Sequence, residues 1–340
     1  MSKKTIAVIF GGESSEHEIS RLSSKNIINA ISSEKYFIMP LYIAKNGAWY
    51  IYEGDPASIG NTDIEKFGTP VIFSSNRDYK GVLRLVGNQF KLINVDIAFA
   101  VLHGKNGEDG VIQGLFEMAK IPYVGSGVLS SAVCMDKSIM KLIANGEGIP
   151  QAKYAVLRKG ENYSKNAVGY PCFVKPANAG SSIGISYATN RAELNAAIKL
   201  AFEYDSKIIV EEAIKGRELE VGILGQGDNI ISSGVGEVVY DDVFYSYDAK
   251  YNSSSSNTIV NADVSDEVKK QVKTLAEKIY KACDCKGLAR VDFFLNQSGK
   301  VIFNEINTMP GFTAISMFSM LWQEAGVPID ELVAKLIENE

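Results

Sequence analysis

Residues 288–313 have the sequence LARVDFFLNQSGKVIFNEINTMPGFT, and the prediction of the fold rests on this stretch. Two apolar runs, LARVDFFL and KVIFNEIN, flank a short polar segment with a glycine, which is typical of two neighbouring β-strands. Side chains two apart on a strand project from the same face, so Arg290 and Asp292 share one face of the first strand. Glu305 and Asn307 have the same relation on the second strand. Pairing of the strands therefore predicts one surface with two carboxylates, an amide oxygen and a guanidinium.

This polar surface has the composition of a magnesium site. Mg²⁺ typically takes one or two carboxylates and completes its shell with water and phosphate oxygens. A guanidinium beside them is suited to neutralising charge that develops on a carbonyl or phosphoryl oxygen. The alternative is a row of solvent-facing strand charges, but both strands are otherwise apolar, which favours a buried function for the polar face. The sequence thus predicts metal ligands at Asp292, Glu305 and Asn307, with Arg290 beside them.

Upstream of these strands, the chain alternates short β-branched runs with amphipathic stretches. TIAVIF, FIMPLYIA, VDIAFAVL and IPYVG are predicted as strands, with helices at 20–32 and 110–119 between them, which indicates a parallel α/β sheet. One helix at 130–145 then leads through Gly-Ile-Pro, a lobe boundary. A smaller α+β lobe follows, with the strands YAVL, CFVK, GISYA and KIIVEE and a helix at 191–204. Further strands, a helix at 263–282 and two closing helices complete the prediction.

Composition excludes several classes of protein. Thirty-five basic and 40 acidic residues are well mixed, with a net charge of −5, so no basic block favours nucleic acid as a partner. No apolar run approaches the roughly 20 residues of a membrane helix, and the apolar stretch after the start lacks a cleavage site. The four cysteines suggest neither a disulfide framework nor a zinc site. We therefore expect a cytoplasmic protein without a membrane partner.

The segment FVKPANAGSSIG, residues 173–184, is a candidate phosphate-binding loop. An apolar strand leads to Lys175, and small residues including Ser181 and Ser182 follow. Small residues let backbone N–H groups approach phosphate oxygens, and the lysine supplies a positive charge. The spacing is not that of a Walker loop, and a plain hairpin is the alternative.

Carboxylates cluster at the end of the predicted strand KIIVEE, residues 207–212. Glu211 and Glu212 are adjacent, and Glu218 and Glu220 follow shortly after. Such acceptors are suited to the amino group of adenine or to ribose hydroxyls. A cluster of charges on an edge strand explains them equally well.

Two polar segments follow predicted strands of the first sheet, where open α/β sheets bind ligands. In GGESSEHEIS, Ser14 or Ser15 is predicted to cap the next helix with Glu18 as its capping-box partner, which leaves Glu16 for a substrate ammonium. In HGKNGEDG, His103 stands at a strand end, although a loop histidine with satisfied hydrogen bonds is the alternative.

The segment FYSYDAKYNSSSSN, residues 244–257, is polar and contains three tyrosines and Lys250. A disordered spacer is one interpretation. The aromatic content favours a loop that closes over a water-sensitive site.

Considered jointly, these segments resemble the ATP-grasp superfamily and, within it, D-alanine–D-alanine ligases and their vancomycin-resistance relatives that use D-serine or D-lactate. The shared motifs run nearly from end to end: GGxSxExEIS, LHGxxGEDG, MDK, VKPxxxGSSxG, the tyrosine–lysine loop, RVD and NExNTxPGFT. The resemblance implies a three-lobed ATP-grasp fold, α/β and α+β, with an N-terminal parallel α/β domain. The implied lobes are 1–137, an N-terminal substrate domain; 138–218, a small central lobe; and 219–340, with the metal site and the closing loop.

The resemblance also implies an activity: ATP-dependent ligation of two D-alanines through an acyl phosphate, for peptidoglycan precursor synthesis, by a cytoplasmic homodimer. The implied cofactors are ATP and two Mg²⁺ ions, or Mn²⁺ in their place. By position, the implied contacts to ATP are Lys137, Lys175, Ser182, Glu211, Glu212, Ile214, Glu218 and Lys250. The implied catalytic and substrate-binding residues are Glu16, His103, Ser181, Tyr251, Arg290, Gly311 and Ser316, and the metal ligands are again Asp292, Glu305 and Asn307.

Three positions depart from the pattern of the family. Ile315 stands where a histidine is common, Met317 where leucine or arginine is usual, and Ser246 where an aspartate is frequent. The pair Lys250–Tyr251 is typical of ligases for D-alanine and also occurs in ligases for D-serine, while the histidine usual in D-lactate enzymes is absent there. D-Serine as the second substrate therefore stays an alternative. A non-catalytic nucleotide-binding module is a more remote one, because the metal carboxylates and the arginine are all present.

Overall fold

The structure, a computed structural model, describes residues 3–163, 167–180, 183–240 and 256–340. Within these residues, the strands form three sheets of seven, four and five strands, which successive parts of the chain contribute in turn. The fold class predicted from the sequence is confirmed. None of the helices in these ranges has the length and apolar character required to cross a bilayer.

The first sheet has the strand order β6-β5-β4-β3-β2-β1-β7. The parallel pairing predicted for it holds for β2, β1 and β7, while β3 to β6 add an antiparallel extension that was not predicted. The strand predicted for IPYVG is wrong: it makes only a single bridge, between Ala98 and Tyr123. The strands are β1 (Lys4–Gly11), β2 (Tyr36–Ile43), β3 (Trp49–Ile51), β4 (Thr69–Phe73), β5 (Gly81–Val86), β6 (Gln89–Asn94) and β7 (Ile97–Ala100).

The loop after β1 is held to the sheet by Ser20 in the following helix. The Ser20 hydroxyl accepts a hydrogen bond from the Gly11 N–H at 2.8 Å and donates one to the Val101 carbonyl, so one buried side chain joins the ends of two parallel strands. The helices of this part of the chain are α1 (His17–Ala30), α2 (Ile64–Phe67), α3 (Val111–Ala119), α4 (Val128–Met135) and α5 (Lys137–Gly146).

The single helix predicted for 130–145 is wrong, because the chain breaks it at Asp136. This residue has an extended backbone, and its carboxylate accepts hydrogen bonds from the N–H groups of Ser138 and Ile139. An aspartate in that position is a strong N-cap, so a new helix, α5, begins immediately after it. Lys137 thereby becomes the first residue of α5.

The second sheet is antiparallel, in the order β10-β9-β11-β8, and one helix, α6, covers it. Asn190 caps that helix by accepting hydrogen bonds from two backbone N–H groups. The apolar side chains between the helix and the sheet form a core of their own. The elements are β8 (Tyr154–Arg158), β9 (Cys172–Pro176), β10 (Ser186–Ala188), α6 (Arg191–Tyr204) and β11 (Lys207–Glu212).

The third sheet is also antiparallel, in the order β14-β13-β12-β15-β16. The two strands predicted within residues 288–313 are β15 and β16, and their pairing confirms that prediction. The elements are β12 (Gly216–Gln226), β13 (Asn229–Tyr240), β14 (Ser256–Ile259), α7 (Asp266–Ala282), β15 (Gly287–Asn296), β16 (Val301–Asn307), α8 (Met317–Glu324) and α9 (Ile329–Glu338).

The closing helices connect the first part of the chain to the third sheet, because α9 packs against α1 and α8 packs against β12 and β13. One continuous core contains Phe10 and Ile27 from the N-terminal part together with Phe312, Trp322 and Leu332 from the C-terminal part. The predicted lobes, 1–137, 138–218 and 219–340, each contain one sheet, except that β12 begins three residues before the third range. The apolar contacts of α8 and α9 cross between the first and third of these ranges.

Candidate active site

The polar face of β15 and β16 forms as the alternation of side chains predicts. Asp292 is directly opposite Glu305 in the register, and Arg290 is opposite Asn307. The Asn307 amide donates a hydrogen bond to Asp292 Oδ2 at 3.0 Å. Two carboxylates, an amide and a guanidinium therefore lie side by side on one surface.

Arg290 lies between two carboxylates. Its Nε is 2.8 Å from Asp292 Oδ1 and 3.0 Å from Glu220 Oε2, and its Nη2 donates to Asp292 Oδ2 at 2.8 Å. Burial alone lowers the pKa of this guanidinium, but the charges of Asp292 and Glu220 outweigh it and raise the pKa well above the usual value. Arg290 is thus a fixed cation in a largely enclosed place.

Glu220, on β12, was grouped in the sequence with the candidate nucleotide acceptors after KIIVEE, and its place beside the predicted metal ligands was not predicted. It is opposite Asp292 in the register, so Glu220, Asp292 and Glu305 form a row of carboxylates across three adjacent strands. The alternation in the segment EVGILG places Glu220 on a definite face, but only the strand order shows that this face also carries the predicted metal ligands.

The chemistry of this surface fits magnesium. Among the residues that the structure describes, no three His, Cys, Asp or Glu side chains are grouped so that they alone would hold a metal ion. Asp292, Glu305 and Asn307 supply a partial set of hard oxygen ligands, which is the kind that Mg²⁺ accepts when phosphate oxygens complete its shell. The residues present therefore fit a metal that arrives with a nucleotide.

Two lysines from outside the third sheet, one on α5 and one on β9, face this surface. Lys137 Nζ donates a hydrogen bond to the Ala179 carbonyl at 2.8 Å and lies 3.7 Å from Glu305 Oε2. Lys175 Nζ donates to Glu211 Oε2 at 2.7 Å, and the charge of Glu305 also acts on Lys175. The predicted phosphate-binding lysines and the predicted metal ligands are thus brought together.

Glu211 is buried between two ammonium groups, those of Lys175 and Lys141. Burial alone raises the pKa of the Glu211 carboxyl, but the two lysines outweigh it and lower the pKa to about 2. Lys141 was not predicted as a site residue, although it follows Lys137 by four positions in MDKSIMK and therefore lies on the same side of α5.

The remaining predicted nucleotide contacts lie close to Glu211 along the chain. The Glu212 N–H donates to the Lys153 carbonyl at 2.8 Å, and its side chain is exposed. Ile214 is half-buried in the connection to β12, and the Glu218 carboxylate raises the pKa of Lys175 through its charge.

The predicted capping of α1 by Ser14 or Ser15 is wrong. Glu16 is the residue before the helix, and no side chain caps it. The Ser14 hydroxyl instead accepts from the Glu16 N–H at 3.2 Å and donates to the His103 carbonyl at 2.7 Å. Glu18 pairs with surface cations, so it makes no capping box. Ser14 therefore fixes the backbone of two predicted substrate-binding residues.

The Glu16 carboxylate packs against two glycines. A methyl group added at Gly180 would lie 3.1 Å from Glu16 Oε2, and one added at Gly104 would lie 2.9 Å from the same atom. Gly104 also has a φ of +69°, which favours glycine, and a side chain at Gly180 would displace the carboxylate. The loop after β1 thus meets the glycine-rich loop after β9 at Glu16.

Glu108 is a second carboxylate beside Glu16 that the sequence did not single out. Its Oε2 accepts from the Gly104 N–H at 2.7 Å and its Oε1 from the Met309 N–H at 3.3 Å. Burial, followed by the charge of Glu16, raises the pKa of Glu108 to about 8, and Glu305 adds to the effect. A cationic group between these carboxylates would relieve that repulsion.

His103 joins the N-terminal loops to the segment after β16. Its Nδ1 is 3.1 Å from the Met309 carbonyl, which only accepts, so Nδ1 carries the proton in the neutral ring. Nε2 is then the acceptor, and it lies 3.4 Å from the Ser23 hydroxyl. Ser23 also accepts from the Phe312 N–H at 3.2 Å, so α1 holds the segment that follows the metal ligands.

Gly311 and Ser316 lie together in this same segment. A methyl group at Gly311 would be 2.8 Å from Ser316 Oγ, and the Ser316 hydroxyl accepts from the Thr313 N–H at 3.0 Å. Ile315 is 76% exposed, whereas Met317 is buried against Gly236. The predicted residues Ser181, Ser182, Ser246, Lys250 and Tyr251 lie outside the described residues.

The two antiparallel sheets, with Lys175 of one sheet and Lys137 of helix α5 facing the carboxylate row of the other sheet, define the ATP-grasp class of ATP-dependent enzymes. The family model for the N-terminus of D-ala D-ala ligase matches residues 5–126, and the model for its C-terminus matches residues 143–338. The chain belongs to the D-alanine–D-alanine ligase family. This confirms the resemblance seen in the sequence.

Similar proteins match over almost the whole chain. The D-alanine–D-alanine ligase of Caldicellulosiruptor bescii is 46% identical over 99% of this chain and 95% of its own length. Among solved structures, the VanG D-Ala:D-Ser ligase from Enterococcus faecalis has a TM-score of 0.91 at 40% identity, with 99% of each chain covered. The D-alanine–D-alanine ligase from Coxiella burnetii has a TM-score of 0.89 at 34% identity, with 99% of this chain and 94% of that chain covered.

Proposed function

We propose that this protein joins two D-alanines into D-alanyl-D-alanine, with ATP as the energy source, for peptidoglycan precursor synthesis. The observation that carries the proposal is the meeting of Lys137 with Glu305, which sets the phosphate-binding side against the carboxylate row. The full-length identity to ligases of this name supports the same substrates.

The reaction needs an activated carboxyl group, because a carboxylate is a poor electrophile. The first D-alanine carboxylate attacks the γ-phosphate of ATP and forms an acyl phosphate with release of ADP. Lys137 and Lys175 offset the negative charge of the phosphates during this transfer. When bound at Asp292, Glu305 and Asn307, two Mg²⁺ ions, or Mn²⁺ in their place, supply further charge neutralisation and orient the phosphates.

The second step is attack of the second D-alanine amine on the acyl carbonyl. Arg290, held by Asp292 and Glu220, is suited to stabilise the oxyanion, together with the Gly311 N–H. We assign the first ammonium to Glu16, whose carboxylate lies beside Glu108. His103 is assigned to the second amino acid.

Further assignments complete the proposal. Glu211 accepts from the adenine amino group, with the backbone at Glu212 and Ile214, and Glu218 binds the ribose. Ser316 binds the second carboxylate, and phosphate is released when the dipeptide forms. The roles of Ser181, Ser182, Lys250 and Tyr251, in the substrate network, the phosphate loop and the closing loop, stay predictions from the family resemblance.

D-Serine as the second substrate is the competing proposal. Two observations favour it: Ile315 and Met317 depart from the family pattern next to Ser316, and the VanG structure is similar along its whole length. We favour D-alanine, because the curated relatives that share 43–46% identity carry that name.

The two proposals differ in a simple assay. Phosphate release is measured with D-alanine alone and with D-alanine plus D-serine, and the dipeptides are identified by mass. We expect full turnover with D-alanine alone. Markedly faster turnover in the mixture, with the mixed dipeptide as the main product, would establish the D-serine activity instead.

A cytoplasmic homodimer is a further proposal, taken from the family resemblance. Light scattering of the purified protein tests it, with a mass near twice 37.0 kDa as the expected result. The mass of a single chain would contradict it.

A further inference from the structure

Helix α5 presents two lysines to the site, one turn apart, and they have different surroundings. The Lys137 side chain is 13% exposed and reaches Glu305 in the cleft, while the Lys141 side chain is only 2% exposed. Burial of a lysine is unfavourable unless a charge partner compensates it. Lys141 is thus a cation without access to the phosphates.

Lys141 and Lys175 contact different oxygens of the Glu211 carboxylate. Lys141 pairs with Oε1, and Lys175 donates to Oε2 at 2.7 Å. Lys141 also lies 5.5 Å above the ring of Tyr154, the residue opposite Glu211 on β8. Lys141 is therefore held against Glu211 of β11 and Tyr154 of β8.

The two ammonium groups are not equivalent when a nucleotide binds. Lys175 is assigned to the phosphates, and its charge is then shared between them and Glu211. Lys141 is enclosed, so its charge remains with Glu211 throughout. An ionised carboxylate only accepts hydrogen bonds, which suits the 6-amino group of adenine and repels the 6-oxo group of inosine or guanine.

We infer that Lys141 is a positioning residue, which holds Glu211 as a charged, oriented acceptor and thereby sets the preference for adenine over 6-oxo purine nucleotides. The inference rests on the proposed function for the assignment of Glu211 to adenine. A purely structural ion pair between α5 and β11 would contribute to stability and leave the choice of base unchanged.

The test compares nucleotide binding in Lys141→Met and in the wild type, by calorimetry with ADP and with IDP. Loss of the ammonium frees Glu211 to rotate or to take up a proton, so ADP should bind about 10 to 100 times more weakly, as for loss of a charged hydrogen bond. IDP binding should stay the same or become tighter, because a Glu211 that rotates away or takes up a proton no longer repels the 6-oxo group. Lys278→Met is the matched control, since Lys278 is 46% exposed and pairs with Glu147 on the surface.

A double-mutant cycle separates positioning from packing. The quantity compared is the ratio of the ADP affinity to the IDP affinity. In the Glu211→Gln background, Lys141→Met should leave this ratio unchanged. In the wild-type background, Lys141→Arg should keep most of the wild-type ratio that Lys141→Met loses. The inference would be overturned if folded Lys141→Met had the wild-type ratio. It would also be overturned if Lys141→Met lowered the ratio equally in the wild-type and Glu211→Gln backgrounds. If the methionine variant does not fold, Lys141→Gln replaces it with the same two criteria.

Failure of this inference is distinguishable from failure of the proposed function. Wild-type phosphate release with ATP and D-alanine tests the function alone. An active wild type with an unaltered nucleotide ratio in the variant rejects only the role of Lys141. The binding ratio itself is measured without any turnover.

Discussion

Glu108 offers a quantitative test of how the carboxylates around Glu16 share the site. Its pKa rises from 4.5 to about 8 in the folded protein, so the folded state holds a proton that the unfolded chain loses. The contribution of Glu108 to the unfolding free energy is therefore highest below about pH 4.5. It falls as the pH rises to about 8 and is constant above that. Across this range the ceiling of the loss is roughly 5 kcal/mol, at about 1.4 kcal/mol for each pH unit.

Replacement of Glu108 by glutamine removes the titration and keeps the shape. Because the side chain is only partly buried, we expect about half of the ceiling, roughly 2–3 kcal/mol. Near pH 5 the variant should be less stable by about 1 kcal/mol, because its amide nitrogen cannot accept the hydrogen bond from the Met309 N–H. Between pH 5 and pH 9 Glu108→Gln should gain the expected amount over the wild type and become the more stable of the two.

Urea unfolding at pH 5, 7 and 9 gives the unfolding free energy of each protein. Subtracting the wild-type value from that of the variant at each pH cancels the effect of the other titrating groups. Glu18→Gln is the control, because Glu18 is 55% exposed in the same part of the chain. Parallel pH profiles for Glu108→Gln and the wild type would refute the reasoning, and so would a variant that is less stable at pH 9.

Three further changes address other parts of the site. Glu305→Gln should lower turnover by at least about 100-fold, since it removes a charge-bearing ligand, and phosphate release measures it; near-normal turnover would reject the metal assignment. Arg290→Met should lower the unfolding free energy by about 3–5 kcal/mol, because Glu220 and Asp292 lose their cation, and adding Glu220→Gln should restore part of it; no change in urea unfolding would contradict this. Ser20→Ala should lower the unfolding free energy by about 1–3 kcal/mol in the same assay, because the Gly11 N–H and the Val101 carbonyl lose their hydrogen-bond partner. An unchanged unfolding midpoint would show that these two backbone groups find other partners.

The polar face of β15 and β16 was predictable because it follows from the spacing of residues within each strand. Positions 290 and 292, or 305 and 307, share a face of any strand, so only the pairing of two consecutive strands had to be added. The N-cap at Asp136 was also present in the sequence, but the apolar pattern runs across it, and a single helix was predicted in place of α4 and α5.

Lys141 and Glu108 were missed, as was the place of Glu220 opposite Asp292, for a different physical reason. Each has an ordinary exposed-helix, strand or loop pattern, and its burial depends on elements distant in the chain. Lys141 and Glu211 are 70 positions apart, and Glu108 meets the Met309 backbone 201 positions away. Such pairings follow from the arrangement of the lobes, which local periodicity does not contain.

The core shared by both ends of the chain determines which parts of the enzyme are free to separate. Phe10 and Ile27 pack in the same cluster as Trp322 and Leu332, whereas the sheet of β8 to β11 with α6 has a cluster of its own. Pulling the first and third sheets apart would expose this shared apolar surface to water, and swinging the middle sheet outward would not. We therefore expect the nucleotide to enter when the middle sheet rotates relative to the first and third sheets, which stay packed together.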